Sequence, residues 1–344
     1  MLDKITIVIA TKNRHHYLER VIDYYSESGI QILVADATKE SYGKTLPGNV
    51  TYYHYPEVPY CTKLDDVFKK VNTPYSLMCA DDDFIIPTAI NTCVEFLDKN
   101  PDYSSAQGHY VFFYHSKNKL FYTPAYLSTI GSDFNEDKAS DRIKKFNNLG
   151  IQFYYCVQKT ETLKKVFSIA SNKLYSLNLV ELLMGMITMI NGKHKVLPVF
   201  YSVREVLYGS AGKSHGLNVM AVSAEYKEQY QAFFSGVANF LSTTDNVTVE
   251  QASSFLNQSI DAHIKYRYNN KFSLKESIIK LAKKTVPFTI RKRARHYFLL
   301  LIENNKHKKN LALTSKARGY PFLEGPDKKE LQRIESYIFK YNIQ

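Results

Sequence analysis

The sequence predicts an α/β protein in which a mostly parallel sheet carries helices on both faces, followed by an all-helical C-terminal region. Short apolar runs alternate with amphipathic segments of helical length through the first hundred residues, which is typical of βαβ units. Three adjacent aspartates directly follow one of these runs, and strand patterns nearly vanish beyond about residue 220. We therefore expect an α/β domain at 1–220 and a helical domain at 221–344.

The composition is that of a folded globular protein. The chain has 344 residues, of which 44% are hydrophobic and 23% charged, and this excludes a disordered chain. Four cysteines without a C-x-x-C spacing exclude a disulfide scaffold and a zinc ribbon. No apolar run reaches the ~18 residues that a membrane span needs, and the sequence opens without a signal-peptide pattern. We therefore expect a cytoplasmic protein.

Strand and helix patterns alternate regularly at the start of the chain. Apolar runs of strand length lie at 4–10, 31–35, 49–55 and 75–80. Apolar residues at helical spacing occupy 17–25 and 62–71, and a third helix begins at Pro87, a residue favoured in the first helical turn. Because parallel strands need crossover connections of this length, the pattern predicts a parallel sheet covered on both faces.

The middle of the chain adds a hairpin to this parallel core. Aromatic segments at 110–114 and 120–122 flank a polar run at 116–119, which is typical of two antiparallel strands and their turn. The next predicted elements are helices at 140–148, 160–170 and 177–190, a strand at 195–203 and a glycine-rich loop at 208–216. Beyond this loop we expect helices at 221–241, 249–268, 274–284, 287–305 and 327–341.

The strongest chemical signal is the run Asp81–Asp83, which ends a buried strand. Adjacent carboxylates repel one another and lower stability unless a cation or strong hydrogen-bond donors balance them. Carboxylate oxygens favour Mg²⁺ or Mn²⁺, and these ions favour a phosphorylated substrate. Thr11 and Asp36 end two other predicted strands and would face the same edge, where open α/β sheets bind ligands. The alternative is an acidic cluster at the N-terminus of the helix that begins near Pro87.

Three motifs follow one another at these predicted strand ends. They are Ile5-Thr-Ile-Val-Ile-Ala-Thr-Lys-Asn-Arg14, Ile32-Leu-Val-Ala-Asp36 and Thr73-Pro-Tyr-Ser-Leu-Met-Cys-Ala-Asp-Asp-Asp83. In this order they resemble the family 2 type of glycosyltransferase, which has the GT-A fold. The last motif is similar to a bacterial branch in which a Thr-Pro-Tyr strand leads into a triple Asp. The resemblance covers residues 4–110 well and 150–216 loosely, and it does not extend to 220–344.

The resemblance implies a metal-dependent transfer of a sugar from a nucleotide-sugar, a UDP-sugar being favoured, with inversion at the anomeric carbon. Asp81 and Asp83 match the Asp-x-Asp motif, which binds the ribose and the diphosphate-bound Mn²⁺ or Mg²⁺. The implied donor-binding residues are Thr11, Asn13, Arg14, Asp36, Lys63, Asp65, Asp81, Asp82, Arg204 and Lys213. His215 would complete the metal shell, and the glycine-rich loop would close over the donor as a lid.

An inverting transfer needs a general base, and the resemblance points to Glu181, since the family places an acidic residue at the start of a helix well past the Asp motif. Asn178 stands three residues before Glu181, which is the spacing of a capping box. A structural role for Glu181 therefore stays open beside the catalytic one. Asp133, Glu136 and Asp137 are alternative bases in a predicted loop.

The net charge of +12 is concentrated in one segment, because 275–309 holds eleven Lys and Arg against two Glu, a net +9. Basic residues between apolar helical positions at 273–309 indicate attachment to an anionic membrane surface. A solvated basic face that packs on a second chain in an oligomer is an equal alternative, and nucleic acid is disfavoured because no recognised motif accompanies the charge. We therefore expect a transferase on the inner face of the plasma membrane that acts on a cell-envelope glycan or a lipid-linked acceptor.

Two other functions remain open at this point. A sugar nucleotidyltransferase shares the nucleotide-binding α/β architecture, but it should carry a Gly-rich, Arg-containing loop after the first strand, and residues 10–14 contain no glycine. The other possibility is a non-catalytic basic protein that binds membrane or nucleic acid on a degenerate transferase scaffold.

Overall fold

The computed structural model describes residues 1–116, 119–126, 129–149, 153–206, 216–265 and 326–341. Ten strands in these ranges form one sheet. They are β1 Ile5–Thr11, β2 Gln31–Asp36, β3 Val50–His54, β4 Tyr75–Ala80, β5 Phe84–Ile85, β6 Tyr103–Ser116, β7 Lys119–Ala125, β8 Asp133–Phe134, β9 Val157–Lys159 and β10 Lys193–Glu205. Their order is β3-β2-β1-β4-β9-β6-β10-β5, with β7 paired to β6 and β8 to β10.

Helices surround this sheet and confirm the predicted α/β class with a helical C-terminal region. They are α1 His15–Tyr25, α2 Tyr60–Lys69, α3 Pro87–Lys99, α4 Ala139–Leu149, α5 Thr160–Ala170, α6 Leu177–Asn191, α7 Leu217–Met220, α8 Lys227–Asp245, α9 Val249–Ile264 and α10 Pro326–Tyr341. In the described part of the chain, none of the helices has the length and apolar character needed to cross a bilayer.

The first four long strands form the parallel core that the sequence predicts. β1 lies between β2 and β4 and runs parallel to both, and β3 extends the parallel group beyond β2. Ile7, Val8 and Ile9 on β1 are fully buried, as expected for a strand covered on both faces. Pro87 opens α3 as its first residue, so the predicted helix start is confirmed.

Three short strands were not predicted, and two of them shape the site. β9 lies antiparallel between β4 and β6 and joins the two parallel groups of the sheet. β5 pairs antiparallel with the end of β10, so that Phe84 lies opposite Val203. This pairing brings the residues that follow the Asp81–Asp83 run against the last residues of β10. Strands of two or three residues carry too little pattern to be recognised in a sequence.

The helix predicted at 221–241 is wrong at both boundaries. Ser223 has an extended backbone and precedes a separate single turn, so α8 begins only at Lys227. α8 ends at Asp245, and Asn246, which has a left-handed backbone, is its C-cap. α9 then opens with a capping box between Thr248 and Gln251. The helices predicted at 274–284 and 287–305 lie outside the described residues. The division into domains at 220 stays a prediction, although buried side chains of α8 and α9 belong to the same hydrophobic core as the sheet.

The C-terminal helix α10 packs against α1. The Tyr24 hydroxyl on α1 donates a hydrogen bond of 2.8 Å to Glu330, and the Arg333 guanidinium lies 4.8 Å from the centroid of the Tyr24 ring. Lys340 forms an ion pair of 2.7 Å with Asp23, also on α1. The predicted helix at 327–341 is thereby confirmed, and it is fixed to the helix that follows the first strand.

Candidate active site

The carboxyl ends of three neighbouring parallel strands meet at one edge of the sheet. Thr11 on β1 lies opposite Asp36 on β2, and Ala10 lies opposite Ala80 at the end of β4. The Thr11 hydroxyl donates a hydrogen bond of 2.6 Å to Oδ2 of Asp81, the residue directly after β4. The predicted polar residues of these strands are therefore brought together where open α/β sheets bind their ligands.

Asp36 is fully buried and held by several hydrogen bonds. Oδ2 accepts a bond of 2.7 Å from the Tyr52 hydroxyl and lies 2.6 Å from Nε2 of His15, while Oδ1 accepts from the backbone N–H of Thr38 at 2.7 Å. Burial acts most strongly on the pKa of Asp36 and would raise it, but the hydrogen bonds led by Thr38 outweigh burial and lower the pKa. A fixed, ionised carboxylate therefore stands at the end of β2.

The turn after β1 contributes Asn13 to this edge. Asn13 has a φ of 59°, in the left-handed region that asparagine tolerates better than most residues. Its backbone N–H donates a bond of 2.8 Å to the hydroxyl of Thr38, which ties the turn to the end of β2. The side chain of Asn13 is exposed, so it is available to a ligand.

Lys63 and Asp65, both predicted to contact the donor, have different surroundings. The Lys63 ammonium is buried and donates to the carbonyl oxygens of Thr11 at 2.7 Å and Ala35 at 2.8 Å, so it holds the ends of β1 and β2 together. Asp65 forms an ion pair of 2.7 Å with Lys69 one turn along α2. Residues two positions apart on a helix do not share a face, so Asp65 cannot face the strand ends as Lys63 does.

The buried Lys63 predicts a dependence of stability on pH. Burial lowers the pKa of Lys63 from 10.5 to about 8. Between these values the unfolded chain binds more protons than the folded one, so the free energy of unfolding rises with pH; below pH 8 the cost of burying the charge is fully present. Relative to a Lys63→Met variant, wild type should gain on the order of 2 kcal/mol between pH 8 and 10 in urea unfolding. A difference that stays constant across this range would contradict the prediction.

Two arginines and the end of β10 balance the acidic run. Arg14, the N-cap of α1, places its guanidinium 3.3 Å from Oδ1 of Asp81 and 2.7 Å from Oδ2 of Asp82. Asp83 accepts bonds of 2.5 Å from the Tyr155 hydroxyl and 3.1 Å from Nε of Arg204, both at Oδ2. Its Oδ1 accepts from the backbone N–H of residue 205 at 2.7 Å. Strong donors thus surround the three carboxylates.

Burial nevertheless destabilises the ionised form of these carboxylates. It raises the pKa of Asp81 to about 7, against the opposing effect of Arg14, and the charge of Asp82 raises it further. Burial likewise raises the pKa of Asp83, and the Arg204 guanidinium only partly offsets this. The donors present in the protein therefore leave part of the negative charge uncompensated, which is typical of a functional site.

Sequence reasoning missed a buried ion pair beneath the acidic run. The Arg20 guanidinium on α1 donates 2.7 Å to Oε2 of Glu205 and 2.8 Å to the carbonyl oxygen of Asp82. The side chains of Arg20 and Glu205 are 1% and 4% exposed. A signal was available, since Arg20 falls at helical spacing between the apolar positions Tyr17 and Tyr24, where a surface arginine is not expected.

Glu181, the predicted base, lies in the first half of α6 and is partly exposed. Burial is the main cause of the raised pKa of Tyr126, and the charges of Glu181 and Asp83 both add to it. The Tyr126 hydroxyl accepts a hydrogen bond of 3.0 Å from Arg204, which itself contacts Asp83. Glu181 therefore lies within electrostatic range of Tyr126, whose hydroxyl contacts the arginine that pairs with Asp83.

The predicted capping box at Asn178 is wrong in its position, because α6 begins at Leu177 and its N-cap is Ser176. The alternative bases lie toward the start of β10, where Glu136 pairs with Lys145. Asp133 pairs with Lys195 at 2.6 Å near the start of β10, and Asp137 lies 3.7 Å from Lys193. The acidic run contacts the other end of β10, roughly 30 Å away at the rise of a strand.

The remaining predicted site residues, Lys213 and His215, lie outside the described residues, as does the predicted lid at 208–216 except for its last residue. No group of three or more His, Cys, Asp or Glu side chains within the described ranges is placed to hold a metal ion. Asp81 and Asp83 offer the hard, buried carboxylate oxygens that Mg²⁺ and Mn²⁺ prefer. Their chemistry fits such an ion, provided that Arg14 and Arg204 release the oxygens they now contact.

Solved structures of TarS from S. aureus match the chain. Residues 1–349 of TarS in complex with UDP-GlcNAc give a TM-score of 0.51 at 13% identity, over 80% of this chain and 77% of that one. The chain has the fold of TarS. The predicted GT-A fold class is therefore confirmed.

A second TarS structure gives a TM-score of 0.49 at 13% identity and covers 79% of this chain, which spans only 46% of that TarS chain. Neither the models of protein families nor the curated proteins compared with the sequence gave a match. The likeness to the TarS complex with UDP-GlcNAc thus establishes the fold.

Proposed function

We propose that this protein is an inverting glycosyltransferase that moves a sugar from a nucleotide-sugar, preferably a UDP-sugar, to a cell-envelope glycan or a lipid-linked acceptor. The observation that carries the proposal is the set of buried carboxylates Asp36, Asp81 and Asp83 at the carboxyl edge of the parallel sheet. The likeness to TarS, which has been solved with UDP-GlcNAc, supports the same class of donor.

Each group at the edge has a proposed task. Thr11, Asn13 and Asp36 bind the nucleoside, and Asp82 positions Arg14 beside the diphosphate. Arg14 and Arg204, with Lys213 from the predicted lid, neutralise the phosphate oxygens, since guanidinium groups match them bidentately. Lys63 acts indirectly, because its ammonium supports the strand ends that carry Thr11 and the nucleoside site.

The proposed metal site consists of Asp81, Asp83 and His215. A bound Mn²⁺ or Mg²⁺ would supply positive charge for the leaving nucleoside diphosphate. The transfer itself is a single displacement. The acceptor hydroxyl attacks the anomeric carbon, Glu181 takes the hydroxyl proton, and the bond to the diphosphate oxygen breaks with its electron pair going to the nucleoside diphosphate. Attack opposite the leaving group inverts the anomeric centre.

The proposed location is the inner face of the plasma membrane. It is supported by the basic segment 273–309, which lies outside the described residues and carries most of the net charge of the chain. A segment of this composition would attach the enzyme to anionic lipid beside a lipid-linked acceptor, or join two copies of the chain.

Calorimetry with UDP, GDP and CMP, each with and without Mn²⁺, tests the proposal. We expect UDP to bind wild type in the presence of Mn²⁺ and to bind an Asp83→Asn variant at least about tenfold more weakly, because a charge-bearing ligand of the ion is lost. Asp98→Asn is the matched control, since Asp98 pairs with Lys4 at the surface. Absence of nucleotide binding, or binding indifferent to Asp83, would refute the function.

A further inference from the structure

Three arginines contact the acidic run, and they fall into two kinds. Arg20 is buried and has Glu205 as its acidic partner. The side chains of Arg14 and Arg204 are 30% and 20% exposed, and their guanidinium groups lie against the carboxylates of the run itself. Long side chains that open to solvent at one edge can change partner without rearrangement of the core, whereas Arg20 cannot.

We propose that Arg14 and Arg204 are exchangeable counter-ions. They hold the carboxylates of Asp81 and Asp83 in the free protein, yield those oxygens to a divalent cation, and then bind the donor diphosphate. This inference rests on the proposed function, and it assigns to the two arginines a role in metal binding as well as in donor binding.

Competition for the same atoms is the first argument. Oδ2 of Asp83 already accepts hydrogen bonds from Tyr155 and Arg204, and Oδ1 of Asp81 faces Arg14 at 3.3 Å. A divalent cation binds carboxylate oxygens at about 2.0 to 2.2 Å and carries two positive charges. A guanidinium cannot keep the same oxygen without strong repulsion, so binding of the cation drives both arginines away from the run.

The charge balance is the second argument. Four carboxylates, those of the Asp81–Asp83 run and Glu205, face the three guanidinium groups of Arg14, Arg20 and Arg204. The cluster therefore has an excess of negative charge, which repels a diphosphate. A divalent cation reverses the sign of the cluster. The released guanidinium groups then bind phosphate oxygens more strongly than the neutralised carboxylates, because they contact phosphate bidentately.

The anchoring of the two arginines is the third argument. Arg14 is the N-cap of α1, and Arg204 precedes the last residue of β10. The backbone N–H of residue 205 donates to Asp83, and Arg20 holds Asp82 from below. The backbones thus remain in place when the guanidinium groups move, and Arg204 must in addition leave the Tyr155 ring, 4.5 Å away, and the Tyr126 hydroxyl.

Binding of Mn²⁺ to the full-length chain, followed by electron paramagnetic resonance without nucleotide, tests the exchange. We expect Arg14→Gln and Arg204→Gln each to bind Mn²⁺ about tenfold more tightly than wild type, because a competing charge-assisted contact is gone. In saturating Mn²⁺, calorimetry should show UDP binding about tenfold more weakly to the same variants. Arg333→Gln removes an arginine that pairs with Glu330 on α10, and it should change neither affinity.

The two affinities must move in opposite directions for the inference to hold. If both variants bind Mn²⁺ more weakly or unchanged while their thermal unfolding matches wild type, the exchange is refuted. Arg204→Lys keeps a charge at the site and should bind Mn²⁺ nearly as wild type does, which separates the loss of charge from a packing defect. If wild type binds UDP but does not bind Mn²⁺, the exchange is refuted and the proposed donor class is not. If wild type does not bind UDP, the proposed function is refuted as well.

Discussion

Replacing Glu181 by glutamine is expected to lower the rate of donor hydrolysis by about 100- to 10,000-fold, the range lost when a general base is removed. Water replaces the acceptor in this reaction, so the same proton must be taken. Glutamine keeps the shape of the side chain and its place on α6, and the affinity for UDP should therefore stay close to that of wild type. The assay is release of UDP from the nucleotide-sugar that a screen identifies as the donor.

A matched control separates catalysis from structure in this experiment. Glu161 on α5 is exposed and pairs with Lys164 at 2.9 Å, so Glu161→Gln should leave the rate unchanged. If Glu181→Gln lowers the thermal unfolding temperature but not the rate, Glu181 supports the start of α6 and the base lies elsewhere.

Breaking the buried pair of Arg20 and Glu205 should cause the largest loss of stability. Arg20→Met removes the buried guanidinium that pairs with Glu205, and breaking a buried ion pair costs about 3 to 5 kcal/mol in comparable cases. The variant also lacks the hydrogen bond from Arg20 to the Asp82 carbonyl and the contact of the guanidinium with the Phe84 ring, 5.0 Å away in wild type. Urea unfolding followed by circular dichroism measures the change in the free energy of unfolding.

The pair of Lys44 and Glu19 provides the comparison, since it has the same N–O distance of 2.7 Å but side chains that are 59% and 35% exposed. Lys44→Met should cost less than about 1 kcal/mol, because water screens a surface pair. Equal losses in the two variants would contradict the argument from burial. The double variant Arg20→Met with Glu205→Met should cost less than the sum of the single changes, since neither charge then remains buried.

The parallel half of the fold could be predicted because its signals are local. Each buried strand is a continuous apolar run, and each crossover helix shows its own period, so β1, β2 and β4 were found within one residue of their ends. Since parallel register brings carboxyl ends together, it also placed Thr11 and Asp36 beside the acidic run. The position of Asp83 just after a predicted strand was enough to make it a candidate site residue.

What the sequence did not reveal depends on contacts between distant parts of the chain. Arg20 and Glu205 are 185 positions apart, and no local pattern links them. β9 has three residues, and its place between β4 and β6 follows from sheet pairing alone. Lys63 and Asp65 lie on different faces of α2 although they are close in sequence, and the pairing of Asp65 with Lys69 has no signal that tells it apart from a donor contact.

The docking of α10 on α1 has a consequence for biosynthesis. Tyr24 and Glu330 bond across 306 positions. During translation the first helix therefore emerges long before its partner exists, with the aromatic face of Tyr24 uncovered. The contact can form only after residue 330 has been synthesised, so it belongs to a late step of folding during translation.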